Sequence, residues 1–354
     1  MKRLPMIKRL TAAAMTALIL LSIPACLSGC SLQKTEQKIP VKVLILPAFE
    51  VDEMEGDFPG EAQYYYEGYL AGGEEYTVRG CVDDTKMYLK DGVALCLLGE
   101  GKVSAALNTG AILSDGRFDF SDAYFLVTGC AGGAEGYSVM GDVSVITAVA
   151  DYDLGHHADP REQVSKGDTT WYHDEEYDEN SVVSLDPALT DRVFELAKDV
   201  RLETTDQTAA YLETMYPGEV WAQRQPRVLK GTAVTGDNFW KGAYDHQNAL
   251  LITETYGCPD PYAVTDMEDI AVGLALKKAG MLDRLIILRD SVNMDVFGRG
   301  SSPESLWGGD ADDELASESS EESIDIFAVA MKNNYTVGKI VIDAILQDAF
   351  LPDP

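Results

Sequence analysis

Six runs of apolar and β-branched residues recur along the chain, as expected for strands that are buried on both faces. A strand of this kind forms a continuous apolar segment, whereas a strand with one solvated face alternates apolar and polar positions. The runs are VKVLILPAF (41–49), VALCLLG (93–99), AYFLVTG (123–129), DVSVITAVA (142–150), RVLKGTAVTG (227–236) and DRLIILRDSV (283–292). The pattern predicts a central sheet that is covered on both faces.

Segments with helical periodicity lie between and after these strands. They span residues 102–114, 186–200, 205–216, 265–280 and 335–350. Asp186 is placed as an N-cap, and Thr265 with Glu268 three residues later has the spacing of a capping box. Gly280 is placed to end the same helix. Strands that alternate with helices predict an α/β protein, a three-layer α/β/α sandwich with a mixed central sheet.

The first thirty residues have the pattern of an export signal. Basic residues precede an apolar stretch from Leu10 to Ile23, which is too short for a spanning helix. Leu27-Ser28-Gly29-Cys30 then resembles the bacterial lipobox, in which the cysteine receives a diacylglycerol and becomes the new N-terminus. We therefore expect a lipoprotein signal peptide at 1–30 that ends at the lipidated Cys30, a tether at 31–40 and a domain at 41–354. An uncleaved anchor helix and a plain signal peptide are the alternatives.

Charge narrows the classes of partner. The chain has a formal net charge of −31 at pH 7. Removal of residues 1–29 takes away four basic and no acidic groups, so the net charge becomes −35. Such a surface repels nucleic acid and anionic headgroups, so we expect no nucleic-acid partner. We expect an exported protein that is lipid-anchored to the outer face of the bacterial cell membrane, or is periplasmic. The acidic stretches near 173–180 and 310–325 are predicted to be solvated loops.

Four cysteines lie outside the signal and the lipobox, namely Cys81, Cys96, Cys130 and Cys258. Cys81 and Cys96 flank a hairpin that is predicted to turn at Asp91-Gly92. They are candidates for a disulfide, which an exported protein can form, and the sequence leaves open whether they are joined. No spacing of cysteine or histidine is typical of metal ligands, so we expect no metal site.

Polar and glycine-rich clusters fall at the predicted strand ends, where open α/β sheets bind ligands. The candidate residues are Asp52, Glu53, Gly99, Gly101, Lys102, Gly129, Ala131, Gly132, Phe239, Trp240, Met267, Glu268, Arg289, Ser291 and Asn293. Glycines let backbone N–H groups approach a ligand, and aromatic rings can flank a flat base. A carboxylate can accept two hydrogen bonds from a vicinal diol. Each cluster alone has an ordinary structural explanation, and their order carries more information.

The order of the clusters resembles the nucleoside phosphorylase and nucleosidase superfamily. The matching segments are GEGKVSAA (99–106), TGCAGG (128–133), GDV (141–143), TGDNF (235–239) and Met267-Glu268. Within that superfamily the chain is most similar to the purine nucleoside permease family. The further matching residues are Phe118-Asp119, Arg161-Glu162, Glu268-Asp269, Leu288-Arg289 and SVN (291–293).

The resemblance implies a nucleoside-phosphorylase-like fold with a purine nucleoside as ligand. It implies that Glu268 holds the ribose hydroxyls and that Asp52 or Glu53 takes the place of the water-activating carboxylate. Asn293 stands where the nucleosidases have an aspartate that protonates purine N7, and an amide can hydrogen-bond N7 but cannot donate a full proton. Lys102 is the only basic residue in the first three glycine-rich segments. We expect no cofactor, and phosphate is left open as a co-substrate.

Two main functions fit this resemblance. The first is purine nucleoside binding in nucleoside uptake, for which the anchored chain would need a separate membrane transporter. The second is a phosphorylase or hydrolase that cleaves the N-ribosidic bond of purine nucleosides. A third reading is a relative that recognises another ligand, with the acidic loops as partner contacts. The preferred base and a homo-oligomeric state are left open.

Overall fold

The computed structural model describes residues 37–82, 85–162, 169–302, 321–348 and 350, with no account of the side chains of 321–325. The predicted signal peptide, Cys30 and most of the predicted tether therefore lie outside the described residues. The predicted acidic loop at 310–325 also lies outside them as far as residue 320. Within the described ranges, no helix is both long and apolar enough to cross a membrane.

Strands and helices alternate along the described chain, as the sequence predicts. The strands are β1 (Ile39–Pro40), β2 (Val43–Leu46), β3 (Glu74–Thr77), β4 (Lys86–Lys90), β5 (Val93–Cys96), β6 (Phe118–Asp119), β7 (Tyr124–Gly133), β8 (Val143–Asp151), β9 (His156–His157), β10 (Trp171–Tyr172), β11 (Val182–Ser184), β12 (Val228–Thr235), β13 (Tyr262–Asp266) and β14 (Leu285–Met294). The helices are α1 (Gln63–Tyr65), which a π-helical turn continues to Leu70, α2 (Gly101–Leu113), α3 (Asp178–Ser181), α4 (Pro187–Ala197), α5 (Asp206–Met215), α6 (Ala243–Thr255), α7 (Asp269–Ala279) and α8 (Glu321–Leu346).

The central sheet is mixed, which confirms the predicted fold class. Strand β2 pairs in parallel with β5 and with β7, and β14 pairs in parallel with β7. Strand β8 pairs with β14 in antiparallel and with β12 in parallel, and β12 pairs with β13. Because β13 returns to β7 at Gly132 and Gly133, five strands close into a ring. Strands β2, β5, β4 and β3 extend from that ring as an open arm.

Helices pack on this sheet through separate apolar clusters. Helices α4 and α8 contribute Val193 and Val341 to one cluster, where they meet Ile45, Leu126 and Leu288 of the strands. Helix α6 packs against β12 and β13 in another cluster. Helix α7 packs against α2 and against β8 and β11. Burial of these apolar side chains is the main favourable term that holds the layers together.

The segment before helix α7 differs from the prediction. The predicted capping box at Thr265 and Glu268 is wrong, because Thr265 lies in β13 and the helix begins at Asp269. Tyr262–Asp266 form a strand because both β12 and β7 offer hydrogen-bond partners there. Glu268 occupies the N-cap position without a side-chain capping bond, so its carboxylate is available elsewhere. Gly280, with φ of +72°, ends the helix as predicted.

Of the other local predictions, some are confirmed and others differ from the structure. Asp186 accepts the Leu189 N–H at 2.8 Å and so caps α4 as predicted. The predicted acidic loop at 173–180 instead contains short helical turns at 175–177 and in α3. The last helix is longer than predicted, since α8 begins at Glu321 rather than near residue 335. Strand β7 continues to Gly133 through the glycine-rich segment that was expected to follow it, and β14 ends at Met294, two residues beyond its predicted end at Val292.

Candidate functional site

The buried Arg289 guanidinium is the centre of the candidate site. Arg289 of β14 is 1% exposed and pairs with Gly129 of β7. Its Nη2 donates to Glu268 Oε2 at 2.9 Å and to Asp269 Oδ1 at 2.7 Å. Its Nη1 donates to the carbonyl of Cys130 at 3.1 Å. Arg289 thereby joins β7 and β14 to the start of helix α7.

Two further carboxylates approach the same guanidinium. Asp266 Oδ1 lies 3.8 Å from Arg289 Nη2, and Glu61 Oε1 lies 4.0 Å from Arg289 Nη1. Four buried carboxyl groups therefore face one cation, since Glu268 and Asp269 also contact it. We call this group the Arg289 cluster; its members are Glu61, Asp266, Glu268, Asp269 and Arg289. Removal of an unpaired charge from water is costly, so the excess of carboxyl groups over cations favours protonation of some of these carboxyl groups.

The pKa values of the cluster follow from this imbalance. Burial raises the pKa of Glu61 and of Asp269 against the attraction of Arg289. Burial likewise raises the pKa of Glu268 to about 7, with Arg289 opposing and Glu61 and Asp266 adding to the rise. Burial acts against the charge of Arg289, but the surrounding carboxylates outweigh it and raise its pKa. Perturbed carboxyl groups of this kind are typical of functional sites.

Glu268 links the cluster to the glycine segment after β5. Its Oε1 accepts the Gly101 N–H at 2.9 Å. Gly99 and Gly101 have φ values of +74° and +81°, a region that residues with a Cβ rarely adopt. An ionised carboxylate has about four acceptor positions, so Glu268 retains capacity for a ligand after its bonds to Gly101 and Arg289. The structure thus brings together Gly101, Glu268 and Arg289, and Gly99 lies two residues before Gly101.

Glu61 is a site residue that the sequence reasoning missed. It is 4% exposed and accepts the N–H of Ala48 at 2.6 Å and of Cys130 at 2.8 Å. A Cβ on Gly129 would overlap the Glu61 carboxylate, so glycine at this position makes room for the acid. Glu61 follows β2 by fifteen residues, and no local pattern marks it. Its position in the site becomes visible only in the structure, where the Glu61 carboxylate lies close to both Gly129 and Ala48.

Asp52 and Glu53 lie on an exposed loop between β2 and α1. The Glu53 N–H donates to Asp57 Oδ2 at 2.9 Å. Across the described residues, no hydrogen bond joins Asp52 or Glu53 to the Arg289 cluster. The nearby Glu50 closes the loop, since it accepts the N–H groups of Val51, Gly60, Ala62 and Gln63. The structure therefore offers Glu61, rather than either predicted acid, as the buried carboxyl group after β2.

Asn293 and Ser291 lie on β14 opposite the glycine-rich part of β7. Asn293 pairs with Gly132 and Ser291 pairs with Ala131. The Asn293 Oδ1 lies 3.1 Å from the place where a Cβ of Gly132 would stand, so the glycine leaves space for the amide. Asn293 is half-buried, and the buried Ser291 Oγ has no hydrogen-bond partner among the described residues. The structure brings these predicted residues to one strand pair.

A second polar network, which the sequence reasoning did not predict, begins two residues after Asn293. Asp295 Oδ2 contacts His246 Nδ1 at 2.7 Å and accepts the Tyr262 hydroxyl at 2.9 Å. Its Oδ1 accepts the N–H of Glu135 at 3.0 Å. Burial opposes the charged imidazole, but the bond to Asp295 raises the pKa of His246. The network ties the ends of β7 and β14 to β13 and α6.

The predicted aromatic pair is split by the structure. Phe239 is 55% exposed, whereas Trp240 stacks on Tyr152 with ring centroids 5.1 Å apart and planes 24° apart. Met267 is half-buried between Asp266 and Glu268. Contact of these three residues with a purine base therefore stays a prediction.

Lys102 is paired with acidic side chains. Its Nζ lies 2.6 Å from Asp153 Oδ2 and 3.0 Å from Asp151 Oδ1. Its backbone N–H donates to Asp237 Oδ1 at 2.7 Å, which ties the start of α2 to the segment after β12. Burial opposes the charge of Lys102, yet these carboxylates raise its pKa. No group of histidine, cysteine or acidic residues in the described part of the chain has a geometry suited to a metal ion.

Comparison with known proteins places this geometry in a family. Residues 40–349 match the purine nucleoside permease family. A probable purine nucleoside permease of Schizosaccharomyces pombe is 29% identical over 220 residues, which are 56% of this chain and 63% of that protein. A purine nucleoside permease of Candida albicans is 29% identical over 210 residues, 54% of this chain and 51% of that protein. The chain thus spans between half and two thirds of these curated relatives.

Solved structures share the fold at lower identity. A 5'-methylthioadenosine/S-adenosylhomocysteine nucleosidase from Neisseria meningitidis, in complex with methylthio-immucillin-A, has a TM-score of 0.50 and 18% identity, over 86% of this chain and 99% of that one. A nucleosidase of the same name from Colwellia psychrerythraea, in complex with adenine, has a TM-score of 0.52 and 16% identity, over 90% and 99%. The match over nearly the whole described domain shows that the chain belongs to the purine nucleoside permease family.

Proposed function

We propose that this chain binds purine nucleosides and serves nucleoside uptake. The observation that carries the proposal is the buried Glu268 carboxylate, which Arg289 and the Gly101 N–H hold in one orientation. A fixed carboxylate can accept hydrogen bonds from both hydroxyls of a ribose diol without an ordering cost at binding. The names of the curated relatives and the adenine in a structural neighbour support a purine as the base.

The charge of the site supports a neutral nucleoside rather than a phosphorylated ligand. Arg289 is already surrounded by four carboxyl groups, and Lys102 is paired with Asp151 and Asp153. A phosphate needs cations that are free to approach its oxygens. We therefore expect inorganic phosphate neither to assist nor to compete with nucleoside binding.

Substitution of Glu268 tests the binding proposal directly. We expect Glu268→Gln to weaken inosine and adenosine binding roughly 10-fold or more, because hydrogen bonds to a charged group contribute about 1.5–3 kcal/mol. Calorimetric titration of the purified protein measures the affinity. Glu100→Gln is the matched control, since Glu100 is exposed in the same glycine segment and makes no side-chain capping bond. Unchanged affinity in Glu268→Gln, or no binding of any purine nucleoside by the native protein, contradicts the proposal.

Cleavage of the N-ribosidic bond is the second candidate function. The observation that favours it is the burial of the Glu61 carboxyl group beside Gly129. A buried carboxyl group with a raised pKa beside a glycine-rich strand is suited to take a proton from water. Asn293 would then hydrogen-bond the base without protonating it. Among the described residues, Arg289 and Lys102 are both paired with carboxyl groups, which favours hydrolysis over phosphorolysis.

A release assay distinguishes binding from cleavage. If the protein is a hydrolase, inosine or adenosine yields free base at the same rate with and without phosphate, and Glu61→Gln slows release about 100-fold or more, as loss of a general base does. Glu53→Gln serves as the comparison because that acid lies on the exposed loop. Loss of activity in Glu53→Gln alone would show that Glu53, and not Glu61, is the general base. Release of base only in the presence of phosphate would indicate a phosphorylase.

The pKa of Glu268 predicts opposite pH trends for binding and stability. Binding requires the carboxylate, so affinity is expected to rise about tenfold from pH 6 to pH 8 as a group with a pKa of about 7 ionises. For the stability of the free protein we expect the reverse trend, because a pKa raised above the ordinary 4.5 means that the folded state binds the proton more tightly than the unfolded state does. Its stability is therefore expected to fall as pH rises from 4.5 to 7. Titrations and thermal unfolding at each pH measure both trends, and a pH profile that persists in Glu268→Gln contradicts the assignment.

We also propose that Cys30 carries a lipid that anchors the protein outside the cytosol, with a separate membrane transporter as partner. The lipobox-like Leu27-Ser28-Gly29-Cys30 supports the anchor. We expect Cys30→Ser to abolish incorporation of a labelled fatty acid and to prevent maturation of the precursor. Cys26→Ser, four residues earlier within the signal, is the control that should retain the label. Equal labelling of both variants would refute lipidation at Cys30.

A further inference from the structure

Cys81 and Cys96 lie side by side at the base of the β4–β5 hairpin. Cys96 is the last residue of β5 and is fully buried, whereas Cys81 is half-buried in the segment that precedes β4. Both thiols are free in the structure, and the two side chains hydrogen-bond to each other. The proximity that the hairpin suggested in the sequence is therefore present in the fold.

One buried side chain holds the two cysteine segments together. Asn108 of α2 is 1% exposed, and its Oδ1 accepts the Val82 N–H at 2.7 Å. Its Nδ2 donates to the Leu98 carbonyl at 2.8 Å, two residues beyond Cys96. The Cys81 Sγ also lies 4.0 Å from the Asn108 carbonyl oxygen. The contact between the thiols is thus fixed by the packing of α2 rather than by the hairpin alone.

The other described cysteines have different neighbours. Cys130 hydrogen-bonds to Glu61 through its side chain, and Cys258 hydrogen-bonds to Thr232. Neither thiol hydrogen-bonds to another cysteine among the residues that the structure describes. The Cys81–Cys96 contact is therefore specific, and Cys130 and Cys258 provide internal controls for thiol chemistry.

We propose that Cys81 and Cys96 form an intramolecular disulfide by exchange with an external disulfide oxidant. Cys81 ionises, and its thiolate attacks one sulfur of the oxidant to form a mixed disulfide; the oxidant thiolate that leaves takes up the proton that Cys81 released. The Cys96 sulfur then attacks Cys81 Sγ, and the proton of Cys96 goes to the departing oxidant thiolate. The oxidant disulfide is reduced to two thiols, and one Cys81–Cys96 bond is formed.

The environments of the two thiols set this order. Cys81 is the more exposed sulfur, and the hydrogen bond with Cys96 lowers its pKa against the effect of burial. The hydrogen bond with Cys81 and burial raise the pKa of Cys96 well above its ordinary value. A more ionised and more accessible thiol reacts first with an oxidant, so Cys81 attacks and Cys96 resolves.

The disulfide would restrict the motion of the segment that connects β5 to the site. Cys96 lies three residues before Gly99, and the Gly99–Gly101 segment reaches Glu268 through the Gly101 N–H. A cross-link over fifteen residues also restricts the unfolded chain and so stabilises the folded state. The oxidised protein is therefore expected to unfold at a temperature several degrees higher than the reduced protein.

Thiol labelling and peptide mapping test the disulfide. The purified full chain is incubated with oxidised glutathione or with dithiothreitol, unfolded and labelled with a maleimide. We expect oxidation to remove two labelled thiols, and a non-reduced digest to contain the Cys81 and Cys96 peptides joined at a mass 2 Da below their sum. Cys130 and Cys258 should stay labelled. Full labelling of Cys81 and Cys96 after oxidation would overturn the proposal, as would a bond from Cys81 to a second molecule.

A pair of variants separates the bond from a packing effect. Cys81→Ser replaces the half-buried sulfur and should abolish the rise in unfolding temperature on oxidation while leaving the reduced protein folded. Cys258→Ser should keep the full rise. Loss of the rise in both variants, or in neither, would show that the stabilisation does not come from a Cys81–Cys96 bond.

Discussion

Neutralisation of the Arg289 guanidinium is the constraint on which the site depends. A buried arginine without partners would cost several kcal/mol, and here its partners come from parts of the chain that are far apart in sequence. Glu61 precedes α1, Asp266 ends β13, and Glu268 and Asp269 begin α7. Exchange of such a cluster for apolar side chains often leaves stability unchanged, so its main contribution is geometric. It fixes β7, β14 and the start of α7 in one arrangement.

A second polar network supports the same strand from the other side. Asn334 of α8 donates to Asp290 Oδ1 at 2.9 Å and to the Leu288 carbonyl at 3.1 Å, and it accepts the Tyr65 hydroxyl at 2.7 Å. Burial raises the pKa of Asp290 well above its ordinary value, so this carboxyl group is suited to stay protonated. Successive residues of a strand point to opposite faces, and Arg289 and Asp290 therefore anchor β14 to both layers.

The sequence predicted what depends on local patterns and missed what depends on distant contacts. Buried strands, the Asp186 cap and the Gly280 helix end follow from apolar runs and backbone preferences, and the fold class followed from their order. Strand β13 was missed because its last two residues, Thr265 and Asp266, were interpreted as the start of the helix that follows. Glu61 was missed because its role arises from the approach of Gly129 and Ala48, which no local pattern encodes. The positions of Gly101 and Glu268 were predicted through family resemblance, whereas their mutual hydrogen bond required the structure.

The bond from the Gly101 N–H to Glu268 has a consequence for how ligand occupancy could be observed. Gly101 begins helix α2, so this amide is one of the first-turn donors that lack a partner within the helix. A ligand that draws on the Glu268 carboxylate must change the electron density available to the amide. The Gly101 backbone resonance and its rate of hydrogen exchange would therefore act as a spectroscopic sensor inside the protein, one that responds to the ribose end of a ligand without a reporter group.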